Sequence, residues 1–260
     1  MQHNLMFAIV TRLLALISIL MLSACVTEME GRKVSNVDEE KALELHIQLA
    51  SGYVQKKNRE SARHHLKKAF EIDKNSTGAS AVLARLYELE GEPKLAEEQY
   101  RRVLRQDKNF TEARNYFGLF LYRAKRYEEA FEQFEIAGED LAYTDRADVL
   151  INVGRTASKL GNTARAESAF AHANLLNNKL AAPYIELAEL NFQKKEYAES
   201  KRFLDRYASL RNHTARSLLL GIRIERIFGN KDKEASYALL LKNRYPYSKE
   251  YLEYKQTMSY

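Results

Sequence analysis

From about Lys41 onward, apolar residues recur at spacings of three and four, the period of helices that each bury one face. The same arrangement returns along the chain. Leu49-Ala50-x-x-Tyr53 is followed by Ala62, Leu66 and Ala69, and Leu83-Ala84-x-x-Tyr87 is followed at the same offsets by Ala96, Tyr100 and Val103. Phe117-Gly118-x-x-Leu121 leads to Ala130, Phe134 and Ala137. Two extra residues precede the next copy, in which Val153-Gly154-x-x-Ala157 leads to Ala166, Phe170 and Ala173. A fifth copy has Leu187-Ala188, then Ser200, Leu204 and Tyr207. The sixth has Leu220-Gly221-x-x-Ile224 and then, after a loop two residues longer, Ala235 and Leu239. Lys57-Asn58, Gly91-Glu92-Pro93, Gly161-Asn162 and Gly229-Asn230 are turn signals inside the copies, so each predicts two helices joined by a tight turn. The small residue in every first helix lets that helix approach its neighbour closely.

This unit, with its period of about 34 residues, resembles the tetratricopeptide repeat. No copy has the first-helix Trp, and a repeat-closing Pro occurs only as Pro246. The resemblance implies an all-α fold, a right-handed superhelical solenoid of six repeats with about twelve helices. One unit cannot bury both faces, so the stacked units share a core. Residues 41–248 hold the repeats, and 249–260, a short polar helix, cap the last one.

In such a solenoid the first helices line a concave face. Counting three or four residues from the packed positions selects Ile47, Ser51 and Val54, then Ala81, Arg85 and Glu88, then Asn115, Leu119 and Tyr122. It continues with Ile151, Arg155 and Ser158, then Ile185, Glu189 and Phe192. Exposed apolar groups on a groove mark a partner site, and Tyr122 and Phe192 are the aromatic anchors. The other reading of Leu119, Ile151 and Phe192 is that they only extend the core.

The start of the chain departs from this pattern. Leu13 to Leu22 is an unbroken run of ten apolar or small residues after the single base Arg12 and no acid. At 1.5 Å per residue it spans about 15 Å, half a bilayer's hydrocarbon core, which fits a secretory signal segment and not a transmembrane helix. It ends in Leu22-Ser23-Ala24-Cys25, which resembles the lipobox of bacterial lipoproteins. That resemblance implies removal of residues 1–24 and attachment of diacylglycerol and an N-acyl chain to Cys25. Val26 follows the cysteine, in place of the Asp that retains many lipoproteins in the inner membrane. The expected location is the outer membrane, lipid-anchored, with the body facing the periplasm. Residues 25–40 would then be the lipidated N-terminus and a flexible tether.

Composition narrows the chemistry. With 41 Lys+Arg against 35 Asp+Glu in 260 residues, the charge of +6 is mild and interleaved, so no nucleic-acid footprint appears. A single Cys excludes an internal disulfide or a multi-Cys zinc site. His64 and His65 are adjacent and diverge on a helix, and His46 falls one turn before Ala50 in a packing position. Phosphate-loop, zinc-helix and nucleophile-elbow motifs are missing, and neither an enzyme nor a small-molecule substrate is expected.

Three stretches carry a narrower resemblance. They are Glu92-Pro93-Lys94-Leu95-Ala96-Glu97-Glu98-Gln99-Tyr100, Asn115-Tyr116-Phe117-Gly118 with Lys125-Arg126-Tyr127-Glu128-Glu129-Ala130, and Ala215-Arg216-Ser217-Leu218-Leu219-Leu220-Gly221-Ile222-Arg223. Together they resemble the PilW/PilF family, the tetratricopeptide lipoproteins of type IV pilus biogenesis. The resemblance implies a pilotin that helps the pilus secretin reach the outer membrane and assemble into its multimer. It places secretin contact in the first repeats, at Ile47, Val54, Arg85, Asn115, Leu119 and Tyr122. A scaffold lipoprotein of another envelope machine, for outer-membrane protein insertion or cell-wall synthesis, is the alternative with the same architecture.

Overall fold

The structure is a computed structural model and describes residues 36–258. Cys25, the signal segment and most of the expected tether lie outside the described residues. Six helix pairs follow one another: α1 (Asn36–Gln55) with α2 (Arg59–Ile72), α3 (Thr77–Glu90) with α4 (Pro93–Gln106), and α5 (Thr111–Arg123) with α6 (Tyr127–Glu139). The series continues with α7 (Arg146–Lys159) and α8 (Thr163–Leu176), α9 (Ala182–Gln193) and α10 (Tyr197–Leu210), α11 (Ala215–Ile227) and α12 (Lys231–Arg244), and ends in α13 (Lys249–Met258). No strand occurs among the described residues. From His46 onward the chain is one compact unit, an α-helical repeat solenoid. The first helix begins at Asn36, inside the stretch assigned to the tether. Asp38 and Glu39 lie in its first turn, where carboxylates favour the positive end of a helix.

One backbone device sets the repeat. A single left-handed residue closes the turn inside every pair: Lys57 (φ 57°), Gly91 (80°), Lys125 (61°), Gly161 (76°), Lys195 (63°) and Gly229 (69°). In the first, fourth and sixth repeats the next residue, Asn58, Asn162 or Asn230, caps the second helix by accepting a backbone N–H three residues on. Between repeats, Asp73, Asp107, Asp140 and Asn177 each accept the N–H two residues ahead at 2.9–3.1 Å, which folds the chain back toward the next pair. The two extra residues between the third and fourth repeats fall in the turn at 140–145, where Asp140 also accepts the Thr111 hydroxyl at 2.5 Å.

On the second helices the packed positions are those expected in five repeats, whereas Leu49 on the first helix of the first repeat is exposed. Ala62, Leu66, Ala69, Ala96, Tyr100, Val103, Ala130, Phe134, Ala137, Ala166, Phe170, Ala173, Leu204 and Tyr207 are buried. Tyr100, Phe134 and Phe170 are fully buried, and each such ring contributes about 1.5–3 kcal/mol over an exposed one. The sixth repeat differs. Ala235 is exposed and Leu239 is 59% exposed, whereas Ala238 and Leu241 are buried. The turn residue decides this register. Gly229 stands as far beyond Lys195 as Lys125 stands beyond Gly91, so no longer loop exists and the packed face is set one residue earlier, at Glu234, Ala238 and Leu241. At the end, α13 lays Tyr251 and Tyr254 against Leu218, Leu219 and Ile222 and so covers the last repeat.

Candidate functional site

The inner face is built by the first helices, and the side chains expected there divide into three series. Those three residues before each packed small residue are largely covered. Ile47 is half-buried, with its Cδ1 lying 3.1 Å from where a Cβ on Gly78 would be, so it fills the contact with α3. Ala81, Asn115, Ile151 and Ile185 are buried, and Asn115 Oδ1 accepts an N–H from Asn152 at 3.3 Å. Three residues turn a helix by about 300°, only about 60° short of the packed direction, so this series faces the neighbouring repeat. Ile47, Asn115 and Ile151 are therefore interface residues and not groove residues.

Positions four past the small residue lie about 40° from it, so only a long side chain escapes the packed face. Val54 is too short and is buried at 8% exposure. Tyr122 and Phe192 reach out, each held edge-on by the first aromatic after the turn: Tyr122 by Tyr127 at 5.3 Å and Phe192 by Tyr197 at 5.4 Å between ring centres. The series one past the small residue, about 100° away, faces the groove fully. Leu119 belongs to this series and is half-buried, and like Tyr122 it also packs against the cluster around Phe117 and Leu121.

Charges on this face are tied across repeats. Arg85 donates to Ser51 Oγ at 2.8 Å and lies 4.1 Å over the Tyr116 ring. Glu88 accepts from Arg123 and, at 2.6 Å, from the Tyr100 hydroxyl. Arg155 pairs with Glu186 at 2.8 Å, Arg216 pairs with Glu186 at 2.7 Å, and Glu189 closes the set on Arg216. Burial alone would raise the Glu186 pKa, but hydrogen bonds and charge from Arg216 and Arg155 hold it below the ordinary carboxylate value. Burial likewise opposes the Arg216 charge, and Glu189 and Glu186 outweigh it. Tyr122 is pushed above the ordinary phenol value by burial and by neighbouring Tyr127.

These residues surround a pocket of about 500 Å³ between the third and sixth repeats, lined by Tyr122, Arg155, Glu186, Glu189, Leu190 and Arg216. An adjoining recess of about 350 Å³ is lined by Phe192, Leu219, Leu220 and Arg223. Of the expected residues, Tyr122, Arg155, Ser158 and Glu189 line the pocket, Glu189 and Phe192 line the recess, and Arg85 stands apart in the second repeat. Sequence reasoning missed Glu186, Leu190 and Arg216. The only advance signal was the Glu186 and Glu189 pair, one turn apart on a helix that lines the groove. Among the described residues no group of three His, Cys, Asp or Glu could hold a metal, and no helix is long and apolar enough to cross a membrane. His46 does pack, with its Nδ1 3.1 Å from that of His65. The arrangement suits a polypeptide: apolar and aromatic surface for its side chains, and fixed charges for its register.

The comparisons agree with this architecture. The tetratricopeptide repeat family matches residues 53–115. Type IV pilus assembly protein PilF of Pseudomonas aeruginosa is 38% identical over 235 residues, covering 90% of this chain and 93% of that protein. The solved structure of Pseudomonas aeruginosa PilF superposes with a TM-score of 0.79 at 39% identity, covering 84% of this chain and 99% of that one. The crystal structure of PilW, a type IV pilus biogenesis factor, shares the fold with a TM-score of 0.71 at 24% identity, over 82% of this chain and 98% of that one.

Proposed function

Because the chain belongs to the family of the type IV pilus assembly protein PilF, we propose that it is an outer-membrane lipoprotein that brings the pilus secretin to that membrane and promotes its multimer. The observation that carries this reading is the inner groove. Half-buried Tyr122 and Phe192 offer apolar surface there between cross-repeat ion pairs, a surface that suits one segment of a protein partner. An unassembled secretin exposes strand edges before its barrel closes, and such edges aggregate. Holding one segment of the monomer beside the bilayer would suppress that loss. Acyl chains on Cys25 would supply the tether, since two or more chains anchor a protein stably where one does not.

Deletion of the gene tests the reading. Detergent-resistant secretin multimers and surface pili should both fall while secretin monomer accumulates. Normal multimers and pili would overturn it and favour a scaffold of another envelope machine. Cys25→Ser should abolish incorporation of labelled palmitate and release the protein from the outer-membrane fraction. Continued labelling would sink the anchor.

A further inference from the structure

A second recess lies on the outer face, where α4 and α6 flank α5, and takes no part in the inner groove. It encloses about 250 Å³ and is lined by Arg101, Leu104, Arg105, Arg114, Phe117 and Gln133. Its walls hold three guanidinium groups and no carboxylate. Arg101 is already neutralised, by Glu97 at 2.7 Å and Glu129 at 3.4 Å. Arg114 is not. It is half-buried, and its hydrogen bonds go to neutral oxygens, Gln133 Oε1 at 2.9 Å and the Lys108 carbonyl at 2.6 Å. Burial lowers its pKa, and Glu132 acts on it through its field without a hydrogen bond. Arg105 has no hydrogen bond or ion pair among the described residues.

A cation withdrawn from water without a counter-charge is costly, and an arriving oxyanion removes that cost. A guanidinium has five donors in a planar fork that matches a carboxylate. Two bonds position the Arg114 fork and leave three N–H groups for a ligand, with Arg105 beside it. We propose that this recess is an anion site that seats one Asp or Glu side chain of a protein segment, with an apolar neighbour of that residue resting on half-buried Leu104. The volume suits a single side chain. The surrounding surface is of mixed sign, since α4 also carries Glu97 and Glu98 and α6 carries Glu129 and Glu132. A flat anionic bilayer would meet repulsion there, whereas one recessed carboxylate sits beside Arg105 and Arg114, with Glu97 and Glu129 already paired to Arg101 and Glu132 acting only through its field. The site is independent of the inner groove, so either can fail without the other.

The test is nuclear magnetic resonance of the arginine Nε–Hε groups in the full chain, held in a neutral detergent. The probes are acetyl-Leu-Glu-Leu-amide, its Gln counterpart, inorganic phosphate, and vesicles of phosphatidylglycerol and phosphatidylcholine. The Glu peptide should move the Arg105 and Arg114 signals and the Gln peptide should not. Arg105→Gln should weaken the Glu peptide roughly tenfold, the loss expected of one charge-assisted bond. Arg114→Gln should do the same, and if it fails to fold, exposed Arg105 still decides the matter. Equal response to the Glu and Gln peptides, or no response to any of the probes, overturns the site. Response to phosphate or anionic vesicles but not to the Glu peptide overturns the protein segment in favour of a phosphate ligand.

Discussion

The ring of Phe134 occupies the space that a side chain at Gly118 would need: a Cβ there would lie 2.6 Å from Phe134 Cε1. Gly154 stands in the same relation to Phe170 one repeat later, at 2.5 Å. The glycine is the hole and the aromatic is its plug.

Gly118→Ala should therefore destabilise the solenoid by about 1–3 kcal/mol through overpacking, despite the better helix propensity of alanine. Gly52→Ala is the control, because nothing lies within 4 Å of a Cβ at that helical position. It should be neutral or stabilising by up to about 1 kcal/mol. Urea denaturation compares the two, and equal effects would show that the ring yields freely.

Glu225 is buried, at 2% exposure, and its partner is Lys201, which keeps 27% of its side chain in water. Burial opposes the lysine charge, and the hydrogen bond and charge of Glu225 outweigh it. Lys201→Met should cost about 3 kcal/mol, the low end for breaking a buried pair, by stranding the carboxylate. Adding Glu225→Leu should recover most of that loss. A double variant as unstable as the single would mean that packing, not charge, sets the cost.

Acidification should loosen the C-terminal repeats. His213 sits between Tyr207 and Tyr237, and burial lowers its pKa below 6.5, with Asp205 opposing the shift and Arg244 adding to it. The unfolded chain then binds the proton more readily, so this contribution is complete above pH about 6.5 and is lost as pH falls through the folded value. His65 has the same sign, from burial and then from His46 and His64. Melting temperature should drop between pH 7.5 and 5.5, and His213→Gln should flatten that slope. An unchanged slope would place the proton uptake elsewhere.

In the groove, Tyr122→Ala with Phe192→Ala should leave the helical dichroism unchanged, since both side chains are only half-buried. If the inner groove holds the secretin, this double variant should lower the detergent-resistant multimer. Val54→Ala and Ile151→Ala serve as contrast: they should cost about 0.5–4 kcal/mol of stability without a separate effect on the partner. A double variant with normal multimers would move the contact off the inner groove.

The repeat was legible because its signals are local. Ala84 and Tyr100, or Gly118 and Phe134, belong to the two helices of one pair, and Gly91 and Gly161 announce their own turns. Where that local cue was ambiguous, reading failed: Gly221 drew the sixth repeat toward Ala235 and Leu239, and the turn at Gly229 put Ala238 and Leu241 inside instead.

The candidate site was only half legible, for a reason of distance along the chain. Helical spacing brought Tyr122, Arg155 and Phe192 to one face, and chemistry on a helix face follows from about 100° per residue. Whether Ile47, Asn115 and Ile151 stay open depends on the next repeat, which covers them. The pairs that shape the pocket, Arg216 with Glu186 and Arg155 with Glu186, join residues 30 and 31 positions apart. No period within one helix encodes them. They exist because stacking sets successive first helices side by side, and because a carboxylate withdrawn from water there is stable only with a guanidinium against it.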